Sequence, residues 1–460
     1  MAVLAGAGCS VLPTLGTARK QGDLAAFDSA VPAKWSVPVV AKPGAAIGWL
    51  DDFSSARLKS LVQTAIASNP DLRAAAARVE QARAQMRVAG AESLPQLGTD
   101  FNGSRSQRAS GQRFVGIGTR SNRFNLQADV SWELDFWGRI RDQRGAAGAD
   151  AQAAQADQHA ARLSLAANTA KAAIALAEAG ELIALAEDNI KTRRTHLDLL
   201  ERQLDRGLEA EKVALDVSLS RADLARAEAS LASQKRERDA ARRALENLLG
   251  AYPAGKEGGI GPLPALRRGV PAGVPSDLLL RRPDILSAEH RLHAALQRES
   301  AAKKAFLPSF SLTGDTGFST EEFARLLERE AFIWSLASSV AQSIFQGGRL
   351  KGNVDLARAR YDEALAQYAS AALTAFKEVE TALAAESYLR EQESALERAV
   401  AEADRSRKLA VGQYERGLAD ALTLLDAQQR YFDAQSALVT VKALRLRNRV
   451  DLHLGLGGEF

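Results

Sequence analysis

The chain holds one cysteine, Cys9, among 460 residues. An internal disulfide is impossible, and a cysteine-based metal site is excluded. Methionine is almost as scarce: Met1 and Met86 are the two, which argues against a methionine-lined path for soft metal ions. No run approaches the roughly 18 apolar residues of a membrane-crossing helix, so any membrane contact must come through strands or a lipid. Neither sign of charge dominates. Lys and Arg number 60 and Asp and Glu 56, a formal +4 that leaves no electrostatic footprint for nucleic acid. Aromatic residues are only 6%. Ala, Arg, Glu and Leu take their place, the composition of long helices packed at close range.

Against this helical background one stretch stands out. From Phe124 to Phe136 every even position is apolar (Phe124, Leu126, Ala128, Val130, Trp132, Leu134, Phe136) and every odd one between them is polar (Asn125, Gln127, Asp129, Ser131, Glu133, Asp135). A period of two without exception predicts a strand with one apolar and one wet face. Thirteen residues are long for a globular strand but suit a tilted membrane-crossing strand, which needs roughly 9–11. The even face is expected to meet lipid, with Trp132 and Trp137 in an interfacial aromatic girdle, and the odd face to line water.

In chain order, small apolar residues end at Cys9 and resemble the tail of a bacterial lipoprotein signal, with Gly6 where Leu is usual. Cys9 is the expected lipidation site. Residues 1–55 form an N-terminal lipoprotein-like and extended segment. Helix is expected from Arg57 to Ala91, capped anew at Asn69-Pro70-Asp71. A hairpin at 96–136 follows, with a polar loop near 109–121. Gly138 stops it, and helices at 139–206 and 210–249 are separated by Arg206-Gly207-Leu208. Residues 251–275, rich in Pro and Gly, form a linker.

The pattern then returns. Arg282-Pro283-Asp284-Ile285 answers Asn69-Pro70-Asp71-Leu72 at an offset of 213, and Leu307-Pro308 answers Leu94-Pro95 at the same offset. Gly348-Arg349 answers Gly138-Arg139 at 210, and Glu415-Arg416-Gly417-Leu418 answers Asp205-Arg206-Gly207-Leu208, also at 210. The chain is a tandem duplication: a first repeat at 56–250, a second at 276–457 with a hairpin at 308–345 and helices at 349–415 and 419–454. In the second hairpin a loop is expected near 317–330, and Phe332, Trp334, Leu336, Val340 and Ile344 carry the return strand.

Four long strands per chain cannot close a membrane barrel, because the smallest uses about eight. Unpaired edges cannot lie in lipid. Several chains must pool strands: three give 12 and two give 8. The helices, Ala-rich on some faces and charged on others, suit a wall around a wet interior. The fold class is mainly α with membrane β, long α-helical hairpins forming an α-barrel.

Trp132-Glu-Leu-Asp-Phe-Trp-Gly-Arg139, Leu280-Arg-Arg-Pro-Asp-Ile285 with Ala288-Glu289, Pro308 with Ser311-Leu-Thr-Gly314, Phe345-Gln-Gly-Gly-Arg349 and Leu422-Thr-Leu-Leu-Asp-Ala-Gln428 together resemble the TolC-like outer-membrane efflux proteins, in their OprM/NodT lipoprotein branch. The resemblance spans about residues 40–457. It implies a homotrimer in the outer membrane of a Gram-negative bacterium, with a 12-stranded β-barrel and a periplasmic α-barrel. That trimer is the passive exit duct of a tripartite efflux pump for small molecules. The implied partners are a periplasmic adaptor, an inner-membrane transporter of RND type and outer-membrane lipid; nucleic acid is not among them.

The same resemblance places adaptor docking at two tips, Arg206-Gly207-Leu208 and Arg416-Gly417-Leu418. Helix C-capping by Gly behind a cationic turn accounts for these residue types without docking. It also places a periplasmic gate at Leu422 and Asp426, with Asp216 as a weaker echo. Three carboxylates would repel anions and three leucines would exclude water. Relatives often carry Arg three residues after this Asp; here Gln429 precedes Arg430, so the locking pairs differ. His290 and His293, at i, i+3 beside Glu289, have a spacing that can hold zinc, yet no further His or Cys lies nearby and a helix face accounts for them. Lys256–Gly261 lacks the order of a phosphate loop. No nucleophile is paired with a base, so neither an enzyme nor a cofactor is expected. The alternatives are a type I protein-secretion duct of the same family and a non-membrane coiled-coil envelope scaffold.

Overall fold

A computed structural model describes residues 35–36, 48–107, 120–206, 210–267, 269, 281–416 and 418–458. In order these form a 3₁₀ turn Trp49–Asp52, α1 (Ala56–Ser68), α2 (Pro70–Ala91), β1 (Gln96–Gln107), β2 (Arg120–Leu134), α3 (Arg139–Asp205) and α4 (Ala210–Leu248). Then come α5 (Pro283–Lys304), β3 (Ser309–Thr320), two 3₁₀ turns at Phe323–Arg325 and Arg329–Ala331, β4 (Phe332–Ala341), α6 (Arg349–Glu415) and α7 (Ala421–Gly455). The duplication is visible in the lengths. α2 and α5 have 22 residues each, and α3 and α6 have 67 each. Each 67-residue helix is about 100 Å long.

Local chemistry sets the boundaries. Asn69 Oδ1 accepts from the backbone N–H of Asp71 (2.8 Å) and Leu72 (3.2 Å), capping α2, with Pro70 at the position where no N–H is missed. Asp420 Oδ1 accepts from Thr423 N–H at 2.8 Å and starts α7. β2 stops at Leu134, two residues before the sequence alternation does. Asp135 turns away from the sheet, and its carboxylate accepts from Ile140 N–H (3.1 Å) and Arg141 N–H (2.8 Å), anchoring the first turn of α3. Gly138 makes the corner with φ 76°. Phe136 is therefore not a strand residue; it packs on Phe310 at the sheet's end, ring centroids 4.7 Å apart. Likewise β3 runs on to Thr320, into the first residues of the loop expected near 317–330, and β4 ends at Ala341, leaving Ile344 outside it.

The described residues divide into two units: one drawn from 1–75, 157–286 and 371–460, the other from 76–156 and 287–370. Both cut across the repeats. In the first, Trp49, Leu50, Phe53, Leu58, Leu61 and Val62 pack on an alanine stripe of α3 (Ala166, Ala170, Ala173), with Leu245 and Val450. Alanine lets helix backbones approach closely, and Leu58, Val62 and Ala65 are wholly buried. A buried polar cluster sits beside this core. Arg449 (1% exposed) donates from Nη1 to Asp52 Oδ2 (3.1 Å) and from Nη2 to Glu386 Oε1 (2.8 Å). His453 Nε2 lies 3.1 Å from Asp52 Oδ2, and its ring stacks on Trp49.

In the second unit the four strands make one antiparallel sheet in the order β1-β2-β3-β4. The register sorts side chains cleanly. Leu97↔Val130, Phe101↔Leu126, Leu126↔Phe318, Trp132↔Leu312, Leu134↔Phe310, Gly314↔Leu336 and Phe318↔Phe332 all fall on one face. Asp100↔Gln127, Asp129↔Asp315 and Ser311↔Ser339 fall on the other. Four strands thus share one apolar face and one polar face. Below the sheet, α3 and α5 run antiparallel: Ala146 and Ala149 pack on Ala294, Lys304 Nζ donates to Asp142 Oδ2 (2.6 Å), and Arg298 pairs with Asp150.

Candidate functional site

The first unit carries both helix–helix turns and the polar groups beside them. Of the predicted tip residues, Gly207, Leu208 and Gly417 lie outside the described residues, as does Cys9. Arg206 closes α3. Arg416 Nε donates to Gly412 O (2.8 Å) and Leu418 N–H to Gln413 O (2.9 Å), satisfying carbonyls that the end of α6 leaves open. Leu418 projects into solvent, 71% exposed.

A cleft of about 490 Å³ opens nearby between three helices. α7 contributes Leu422, Leu425, Asp426, Gln429 and Phe432; Asn189 and Arg193 come from α3, and Asp223 and Arg226 from α4. Leu422 is 65% exposed, so this apolar side chain is not buried by the described residues of its own chain. Asp426 Oδ2 accepts from Arg430 Nε of its own helix at 2.7 Å, an i, i+4 pair that holds the guanidinium pKa up.

Arg193 joins the three helices. Its side chain is buried, it donates from Nη2 to Gln429 Oε1 and from Nε to Asn189 Oδ1 (3.2 Å), and Nη1 stands 3.6 Å from Asp223 Oδ2. Burial pulls its pKa down, and Asp223 and Asp433 oppose that shift. After Asp426, Gln429 thus meets Arg193 of α3 through a neutral acceptor, while Arg430 pairs with Asp426. Sequence reasoning singled out Leu422 and Asp426 but missed Arg193 and Asp223. The available signal was that Arg193 and His196, at i, i+3, share the inward helix face with Ile190, Leu197 and Leu200.

Asp216 does not line this cleft. Its charge acts on His196 and Tyr414, whose rings meet edge to face at 5.2 Å. His196 is buried, and burial holds its pKa below the ordinary value against the opposing pull of Asp216. Tyr414 is pushed up, first by burial and then by Asp216. Around them Leu197, Leu200, Val213 and Val217 form an apolar cluster.

His290 and His293 are half-buried, and burial lowers both pKa values. Among the described residues no group of three His, Cys, Asp or Glu side chains could hold a metal ion. No helix among them is long and apolar enough to cross a membrane. The strand residues Phe124, Leu126, Val130, Trp132 and Leu134 sit together on the apolar face of the sheet. Trp132 Nε1 donates to Ser93 O (3.0 Å) and Trp137 Nε1 to Pro308 O (2.8 Å), both at the end of the sheet nearest the helices.

Comparison with known proteins gives a consistent picture. Residues 61–251 and 274–458 match the family described as outer membrane efflux protein. The cation efflux system protein CusC of Escherichia coli is 31% identical over 418 residues, 89% of this chain and 88% of CusC. The outer membrane protein OprJ of Pseudomonas aeruginosa is 34% identical over 433 residues, 92% of this chain and 89% of OprJ. The crystal structure of a membrane protein from Pseudomonas aeruginosa superposes with a TM-score of 0.86 at 31% identity, covering 93% of this chain and 97% of the other.

Proposed function

This chain belongs to the outer membrane efflux protein family and is an efflux channel of the Gram-negative outer membrane, and we propose that it works as a homotrimer whose pooled strands form a 12-stranded barrel. The observation that carries the proposal is the four-stranded sheet. It has one apolar face, one polar face, and two edges, β1 and β4, that pair with no further strand among the described residues. Open edges cannot lie in lipid, and three such sheets joined β4 to β1 leave none. Phe124, Leu126, Val130, Trp132 and Leu134 meet lipid, and Asp129 and Glu133 line the exit.

The helical end supplies the gate. Leu422 and Asp426, repeated three times, make an apolar and an acidic ring, and Arg193 holds each α7 inward through Gln429. Asp216 acts at one remove, on the His196–Tyr414 contact. The turns at Arg206, Gly207, Leu208 and Arg416, Gly417, Leu418 receive a periplasmic adaptor, which couples the duct to an inner-membrane transporter of RND type. The duct conducts small molecules passively and performs no chemistry. Cys9 carries the lipid anchor, and mass spectrometry of the envelope protein should find it acylated.

Planar-bilayer recording tests the gate. Asp426→Ala trimers should show raised conductance and weaker preference for cations; unaltered conductance and selectivity would remove the proposal. Spin labels test the barrel, because Val130 should be accessible to a lipid-soluble quencher and Asp129 to an aqueous one.

A further inference from the structure

The outer end of the β1–β2 strand pair carries one sign of charge. Its described residues 105–107 and 120–123 hold Arg105, Arg120 and Arg123, with no Lys, Asp or Glu. The sheet register says where they stand. On the apolar face the rows run Leu97↔Val130, Thr99↔Ala128, Phe101↔Leu126 and Gly103↔Phe124, and the next two are Arg105↔Asn122 and Gln107↔Arg120. Arg105 and Arg120 thus lie on the apolar face, one and two rows beyond its last aromatic. Arg123, opposite Ser104, lies on the polar face.

The height of the apolar band fixes what those two arginines would meet. From Leu134 to Phe124 is ten residues, roughly 33 Å along the strand, and a tilt of about 40° leaves about 25 Å across the membrane. That matches the apolar band of an outer-membrane barrel, so Phe124 marks the outer boundary of the hydrocarbon. Phe323 from the β3–β4 loop packs on Phe124 and Phe101 (centroids 5.4 and 6.4 Å) and thickens this boundary. The next rows stand at the level of the lipid head groups.

Both arginines are exposed, and diagonal neighbours on paired strands stand about 7–8 Å apart. Arg120 Nε donates to Gln107 Oε1 at 3.2 Å, within the same cross-strand pair. Guanidinium groups clasp phosphate oxygens with two parallel donors, which lysine cannot do.

We propose that the outer end of this hairpin is a binding surface for the phosphate groups of an outer-leaflet glycolipid, with Arg105 and Arg120 as its outward contacts. The occupant is a lipid because the cations continue directly from the apolar band. A free anion would need no such continuity. The proposal rests on the even face meeting lipid.

Native mass spectrometry of the purified channel, loaded with bis-phosphorylated lipid A, its dephosphorylated form or millimolar inorganic phosphate, decides the matter. Lipid A should stay bound, and the R105Q/R120Q double variant should retain roughly tenfold less, as expected for loss of a charge-assisted contact. Dephosphorylated lipid should dissociate from both proteins, and inorganic phosphate should not displace lipid A. Arg123→Gln, on the other face, should behave as the unaltered chain. Equal retention by R105Q/R120Q and the unaltered chain overturns the proposal, as does equal binding of dephosphorylated lipid or displacement by phosphate. Release by Arg123→Gln but not by R105Q/R120Q would instead mean that the two faces of the sheet are reversed.

Discussion

Asp52 is the most demanding single position in the helical unit. Its carboxylate is fully buried and receives Arg449 Nη1 and His453 Nε2, both at 3.1 Å on Oδ2. Asp52→Ala removes both acceptor and charge. Arg449 then keeps Glu386 Oε1 (2.8 Å) and Gly269 O (3.2 Å), but Glu386 is also claimed by Arg445 at 3.2 Å. These two guanidiniums already share that one carboxylate oxygen, so it cannot supply what Asp52 did. Breaking a buried ion pair in this way costs about 3–5 kcal/mol, whereas a neutral hydrogen bond is worth about 1. Asp52→Asn, which keeps an acceptor, should lose less. Hydrogen exchange of the peptide containing residues 49–53 reads the local opening energy. Protection should fall by about two to three and a half orders of magnitude in Asp52→Ala. In an Arg449→Met background the same substitution should cost at least about 1 kcal/mol less, because the stranded cation is gone. A loss below about 1 kcal/mol, or the same loss in both backgrounds, would refute the argument.

Three further outcomes follow from the geometry. Gly317→Val should abolish assembled, heat-modifiable channels, because a Cβ at Gly317 would run into the Leu126 carbonyl oxygen of the paired strand; normal assembly on denaturing gels would contradict the register. Arg193→Met should raise planar-bilayer conductance by untying α7 from α3 and α4, and Gln429→Leu should do the same, so an unchanged current in both would exclude the Arg193 link. Burial lowers the His196 pKa in the folded state, so between the ordinary value near 6.5 and the lower folded value the unfolded chain binds the proton first. The packing of His196 on Tyr414 is at full strength above pH 6.5 and weakens as pH falls through that window. Limited proteolysis near Tyr414 should accelerate from pH 7.5 to 5.5, and His196→Phe should remove the dependence.

Much of the fold is written in local chemistry and is therefore legible. The offsets of 213 and 210 come from Pro, Gly and cap residues whose backbone demands do not depend on distant partners, and the helices start where those residues place them. The alternation in β2 is equally plain because a period of two needs no tertiary information. It misleads only at its end, where Asp135 has the right parity for the polar face but is claimed by the first turn of α3. Ile344 fails similarly: apolar and in phase, yet beyond the last paired residue of β4. The site is less legible. Leu422 and Asp426 were found through a resemblance in a short motif, while Arg193 reaches Gln429 across 236 positions and Arg449 reaches Asp52 across 397. No periodicity encodes such partners. Asp216 and Asp426 occupy matching places in the two repeats, yet one faces His196 and the other an open cleft, because the helices packed beside them differ.

The pairing of β2 with β3 has a consequence for how the chain assembles. These neighbours are separated by 174 residues, 135–308. Closing an unstructured loop of that length would cost roughly 4–5 kcal/mol from its logarithmic dependence alone, before any strand bond formed. The contacts of α3 with α5 shorten the task. Lys304 grips Asp142 and the Gly138 carbonyl, Arg298 meets Asp150, and Ser287 Oγ donates to Ala153 O, one contact after another along the two helices. Once these close, the last residue of β2 and the first of β3 are already neighbours, and the strands have only to zip outward from that end. Helix docking thus leaves only a short closure between β2 and β3, in place of a loop of 174 residues.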